Sequence, residues 1–330
     1  MKTLTLLFTL LLAMGVGAQS KYTTFGLGPN PQFKFGTVST INDSGQVLGW
    51  WPNNGEAYVI SPGDVWTKNI IKTNGSALFM NNAATIIGES APANGPFYKL
   101  WGQPPINVGG YPTAINTAGY VAGTVHNSPH RGQSSAFFAD PLDNTYTTIP
   151  FPHDKYPNEW VSASVGGLNN SNQIVGSWEN YSTPWSGFFY DSKSKQLNTT
   201  FNMPGAATTY PASINDNQEV VGNWVDQKNV EHGFYWSPTA GSSDIDVTGD
   251  TAMYLVGINN QSVILGEWQD ANTPPKFHCV TIVNGKPTAS VNVPHSLYTV
   301  GIAINNVGQV VGEYATQEGV WRGFIYTPPK

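Results

Sequence analysis

Apolar residues in this chain come in short runs that alternate with polar ones, and each run stops at a cluster of Asn, Asp, Ser or Gly. Alternation with a period of two predicts half-buried strands, and no stretch carries the 3.6-residue period of a long amphipathic helix. One unit reads Ile41-Asn-Asp-Ser-Gly-Gln-Val-Leu-Gly-Trp50. A strand ends at Ile-Asn, a turn follows, and a second strand carries the paired aliphatic residues. The turn has a physical cause: Asn and Gly tolerate the left-handed backbone that a tight hairpin requires.

The chain writes this unit seven times. Marked by the asparagine, the copies stand at Asn42, Asn81, Asn116, Asn169, Asn215, Asn259 and Asn305, at intervals of 35 to 53 residues. That period is the length of a four-stranded propeller blade. A third strand follows each unit, as in Ala57-Tyr-Val59, Ala136-Phe-Phe138 and Gly323-Phe-Ile325, and a fourth is clearest at Tyr146-Thr-Thr-Ile149. The last unit has no room for a fourth strand after Tyr326, and Tyr22-Thr-Thr-Phe25 has the character of the missing one. The expectation is an all-β, seven-bladed β-propeller with four antiparallel strands per blade, closed by an N-terminal strand that completes the last blade.

The unit Ile304-Asn-Asn-Val-Gly-Gln-Val-Val-Gly312, with a third-strand signature at His232-Gly-Phe234 and variants at Ser135-Ala-Phe137 and Arg322-Gly-Phe324, resembles the extracellular HAF-repeat proteins. The resemblance covers nearly the whole chain after residue 18. It implies export and a β-propeller-like fold, and it brings no catalytic motif to transfer.

Composition narrows the function classes. Charged residues are only 11% of the chain, the net charge is −6, and Arg131 and Arg322 are the two arginines, so no basic stripe for nucleic-acid phosphates is present. Residues 1–18 read as a secretory signal: Lys2, an apolar run from Leu4 to Leu12, and the small residues Val16-Gly-Ala18. A secreted single domain over residues 19–330 follows, expected to be monomeric, without a membrane span and without a cofactor or metal. Cys279 is the lone cysteine and has no partner within the chain for a disulfide.

A repeat also separates scaffold from site. Trp51, Trp178, Trp224, Trp268 and Tyr314 recur two residues after the glycine of their units, which assigns them to packing between blades, with sugar-stacking platforms as the alternative. The repeated Asn is assigned to the turn. Function belongs where copies disagree. Glu89, Glu267 and Glu313 follow the glycine in three units only, and are the candidate acid–base or cation-binding carboxylates, with a scaffold role as the competing reading. The connections around the third and fourth units are the longest, and they gather His126, His130, Arg131, His153, Asp154, Tyr156, Glu159, Trp160, Glu179, Tyr181 and Trp185. Flat aromatics beside acids and amides suit a glycan or cell-wall polymer. A polysaccharide hydrolase or lyase using the carboxylates is the alternative.

Overall fold

The computed structural model describes residues 21–28, 36–52, 55–63, 69–73, 75–90, 96–99, 106–126, 134–152, 161–180, 182–246, 250–270 and 277–329. These form 28 strands in seven four-stranded antiparallel sheets. Blade one begins at Thr37–Ile41, and each later blade begins at the next strand that ends in the repeated Ile-Asn or its variant. In blade four, for example, the strands Val161–Leu168, Gln173–Asn180, Ser186–Asp191 and Gln196–Asn198 run outward from the centre in chain order.

Closure follows the expected pairing. Lys21–Gly26 lies beside Trp321–Thr327, with Tyr22 opposite Tyr326 and Phe25 opposite Gly323. The absence of a side chain at Gly323 is what admits Phe25, since a Cβ there would stand 2.2 Å from its ring. Phe25 is fully buried in a cluster that joins the last blade to the first through Val311, Ile325, Val38 and Tyr58. Six further apolar clusters fill the remaining gaps between neighbouring blades. The core is therefore a set of radial wedges, each shared by two sheets.

The glycine of each unit has a similar steric cause. At Gly312, a Cβ would meet the carbonyl oxygen of Val300 at 2.0 Å and the ring of Phe324 at 2.7 Å. Phe324 is its cross-strand partner, and Phe97, Phe137, Phe188 and Phe234 pair with the equivalent glycines of other blades. The repeated Gly and the repeated Phe are thus one device: the ring lies over the bare backbone.

Around the channel, the seven marker asparagines are all buried. Each Nδ2 donates to the backbone carbonyl of the next one. The distances run 3.4 Å from Asn42 to Asn81, 2.9 Å to Asn116, 3.2 Å to Asn169, 3.0 Å to Asn215, 2.9 Å to Asn259, 3.0 Å to Asn305 and 2.9 Å back to Asn42. Each Oδ1 accepts backbone N–H groups of its own turn, as Asn215 does from Asn217 (3.0 Å) and Glu219 (2.9 Å). The same side chain shapes its hairpin and holds the next blade.

Side chains on the second strands add further links. The backbone N–H of Gly301 donates to Glu267 Oε1 at 2.7 Å, and Val38 N–H and Thr37 Oγ1 both donate to Glu313 Oε1 at 2.8 Å. Asn223 fills the same role in blade five, accepting from Leu255 N–H at 2.8 Å. The bonds from Gly301, Val38 and Leu255 each satisfy an edge N–H on the innermost strand of the following blade. Burial pushes the Glu267 carboxyl above the usual carboxylate range, although the Gly301 bond opposes it.

Two outcomes follow. Asn215→Ala removes one inter-blade bond and strands two backbone donors, and should lower stability by about 2–4 kcal/mol. Asn217→Ala, at an exposed neighbour with one bond to Asn260, serves as the control and should cost far less; equal losses in chemical denaturation would reject the ring as the main tie. Because the Glu267 pKa is raised on folding, its ionised form is disfavoured in the native state. Its stabilising contribution is full below the unfolded value and falls as pH rises through the folded one. Glu267→Gln, which keeps the acceptor for Gly301, should be more stable than wild type at pH 7, with the gap closing near pH ~4.

Candidate functional site

The position after each marker asparagine forms a second ring: Asp43, Asn82, Thr117, Asn170, Asp216, Asn260 and Asn306. Hairpin geometry brings these residues to the rim of the central channel, where they bond around the circle. The Asp216 N–H donates to Asn260 Oδ1 (2.9 Å), Asn260 N–H to Asn306 Oδ1 (2.8 Å) and Asn306 N–H to Asp43 Oδ1 (2.8 Å). Each carboxylate sits between two carboxamides. Asp43 Oδ2 accepts from Asn82 (2.6 Å) and Asn306 (3.0 Å), and Asp216 Oδ2 from Asn170 (2.8 Å) and Asn260 (2.7 Å). Together with the marker asparagines and the aliphatic residues before them, this rim encloses a cavity of about 240 Å³. In the sequence the whole turn text, Asp43 and Asp216 included, reads as hairpin scaffold. At the second position, the alternation between Asn, Asp and Thr was the available signal.

The opposite end of the channel is the loop face, where the second and third strands of each blade connect. Among the candidates there, Glu179 and Trp185 are described, and His126 is described in backbone only, at the end of the strand Val121–His126. His130, Arg131, His153, Asp154, Tyr156, Glu159, Trp160 and Tyr181 lie outside the described residues, as do residues 1–18. Asn180 shapes the turn that presents Trp185: its Oδ1 accepts from Ser182 N–H (3.0 Å) and Thr183 N–H (2.7 Å). The Trp185 carbonyl accepts from Thr209 N–H at 3.0 Å, and its ring lies 6.1 Å from that of Tyr210, on the innermost strand of blade five. Both rings are half-buried. Burial raises the Glu179 carboxyl above the usual range.

The repeated aromatics take the packing role. Trp51 is buried and donates Nε1–H to the Leu27 carbonyl at 2.7 Å, and buried Trp178 lies against Phe151 with ring centroids 5.6 Å apart. Trp224 and Trp268 are covered by stacked histidines, His232 at 4.6 Å and His278 at 4.4 Å. The second of these is fixed in one tautomer. Asn292 Oδ1 is taken by the Cys279 N–H, so its amide donates to His278 Nδ1 at 3.2 Å, and Nε2–H points to Asp270 at 3.0 Å.

The three candidate carboxylates divide. Glu267 and Glu313 are engaged by the following blade as described above. In the blade after Glu89, the position equivalent to Gly301 and Val38 in the cross-strand register is Pro112, which has no N–H to give. Among the described residues no hydrogen bond to the Glu89 carboxylate is formed, and the residue is half-buried.

No family model and no curated protein matches the chain. Solved structures do. A catalytically inactive variant of virginiamycin B lyase from Staphylococcus aureus, solved with quinupristin, aligns at TM-score 0.57 and 11% identity over 94% of this chain and 100% of that one. The β-propeller domain of the Trilobed protease from Pyrococcus furiosus, described as having an open velcro topology, aligns at 0.61 and 9% over 89% and 96%. A prolyl endopeptidase structure aligns at 0.56 and 9% over 86% of this chain and 46% of that one. At such identities the likeness is one of fold: this chain is a seven-bladed β-propeller with four antiparallel strands per blade.

Proposed function

We propose that this protein is an exported glycan-binding module of the HAF-repeat kind, taking its ligand on the loop face at blades three and four. The carrying observation is the wall made by Trp185 of blade four, the blade that also carries Glu179, and Tyr210 of blade five, two half-buried rings side by side. An aromatic face covers the apolar side of a sugar ring, while a carboxylate accepts from hydroxyls. A wall held by the Thr209 bond and the Asn180 turn is in place before the ligand arrives, which lowers the ordering entropy of binding. The low charge of the chain fits a ligand recognised by stacking and neutral hydrogen bonds. Export is supported by the leader-like text of residues 1–18.

A glycan array probed with wild type, Trp185→Ala and Tyr210→Ala tests the reading. Wild type should bind at least one glycan class, and Trp185→Ala should lose about tenfold or more in affinity for it. Silence of the wild type across the array, or undiminished binding by Trp185→Ala, would remove the proposal.

A further inference from the structure

The channel mouth on the turn face uses none of the residues of the loop face, and its hydrogen-bonding capacity can be counted. Each carboxamide of the second ring spends one N–H on a neighbouring aspartate. Each of their oxygens accepts one backbone N–H: from Asp43 to Asn82, Thr117 to Asn170, Asp216 to Asn260 and Asn260 to Asn306. A carboxamide has two N–H groups and two lone pairs, so each keeps one of both. The aspartates each accept three hydrogen bonds, the third from a backbone N–H, and a carboxylate has about four lone-pair sites. The rim therefore retains donors and acceptors together, an arrangement that answers hydroxyl groups.

Charge narrows the ligand further. Asp43 and Asp216 lie in blades one and five, well apart on the circle, and among the described residues neither forms an ion pair with a lysine or arginine. Carboxamide donors stabilise the carboxylates without neutralising them. An anionic guest would face both charges, whereas an ammonium group would meet acceptors on either side. The cavity of about 240 Å³ is smaller than the roughly 300–1,000 Å³ that holds drug-sized molecules, and suits a guest the size of one sugar.

We infer that the channel mouth binds a small hydroxylated primary ammonium compound, the chemistry of a hexosamine. The ammonium lies against an aspartate, and the hydroxyls take the spare carboxamide groups. The inference stands apart from the loop-face reading, because the two sites lie at opposite ends of the channel and share no residue.

Titration of the full protein with glucosamine, glucose and glucuronate separates charge from shape. Glucosamine should bind to wild type, glucose about tenfold more weakly, and glucuronate not measurably. The Asp43→Asn/Asp216→Asn double variant should lose about tenfold in glucosamine affinity and bind the amine and the neutral sugar alike. Four blades already hold Asn at this position, so the turn accepts it. Thr117→Asp adds a third carboxylate and should tighten glucosamine. It also keeps the test decisive should the double variant show a lowered Tm. The inference fails if glucosamine does not bind to wild type, if glucuronate binds as well as glucosamine, or if neither Asp43→Asn/Asp216→Asn nor Thr117→Asp alters the preference.

Discussion

Seven asparagine side chains carry a hydrogen bond from each blade to the next, and the circuit ends where it begins, at Asn42. Each link has two halves. The Oδ1 half folds its own hairpin by capping backbone donors, and the Nδ2 half reaches the neighbouring turn. A local turn and a long-range contact are therefore the same event: a blade cannot lose one without loosening the other. Burial strengthens the coupling, because these amides lie where a lost bond leaves a polar group unpaired. The apolar wedges between blades supply bulk stabilisation, which is not directional. The asparagine circuit fixes the angle at which blades meet.

With the angle fixed, the rest of the channel wall can be assigned by what each blade's inner strand still lacks. Its free-edge N–H groups need acceptors, and the preceding blade provides them from the residue after its glycine: Asn223, Glu267 or Glu313. Where the following strand has Pro112, no donor exists and Glu89 is released from this duty. Three glutamates that look alike in the repeat thus differ because of a residue in the next blade. Of the three candidate carboxylates, Glu267 and Glu313 are held by the blade that follows them, the scaffold role that competed with a chemical one.

The fold was legible because each of its causes is local and repeated. Asn with a following positive-φ residue marks the hairpin, Gly opposite Phe marks the second and third strands, and Tyr22–Phe25 has the strand character that pairs it with Gly323–Tyr326. The tolerance of the turn is wider than its text implied: Ala84, Gln218 and Ser262 adopt the left-handed conformation that glycine takes at Gly45, Gly119 and Gly308. The packing of the tryptophans was also readable, since their strand face is set by alternation. Partners across a blade boundary were not. Nothing within the unit of Glu313 announces that Thr37 and Val38, at the other end of the chain, will donate to it. The rim of the mouth was hidden for a different reason. Its residues sit inside the most regular text of the chain, where repetition reads as scaffold.

The two ends of the channel can vary only in different ways. At the loop face, a connection can lengthen without disturbing the sheets, so a site there is made by insertion and by new side chains such as Trp185. At the turn face every hairpin is bound to both neighbours, and an inserted residue would break the circuit on either side. The change that remains is one of chemistry at constant shape. Asn and Asp have nearly the same outline, so Asp43 and Asp216 replace an amide by a carboxylate while the neighbouring carboxamides still donate to them. A ring that must stay uniform in form can still be made unequal in charge, and that inequality can discriminate between ligands without moving a strand.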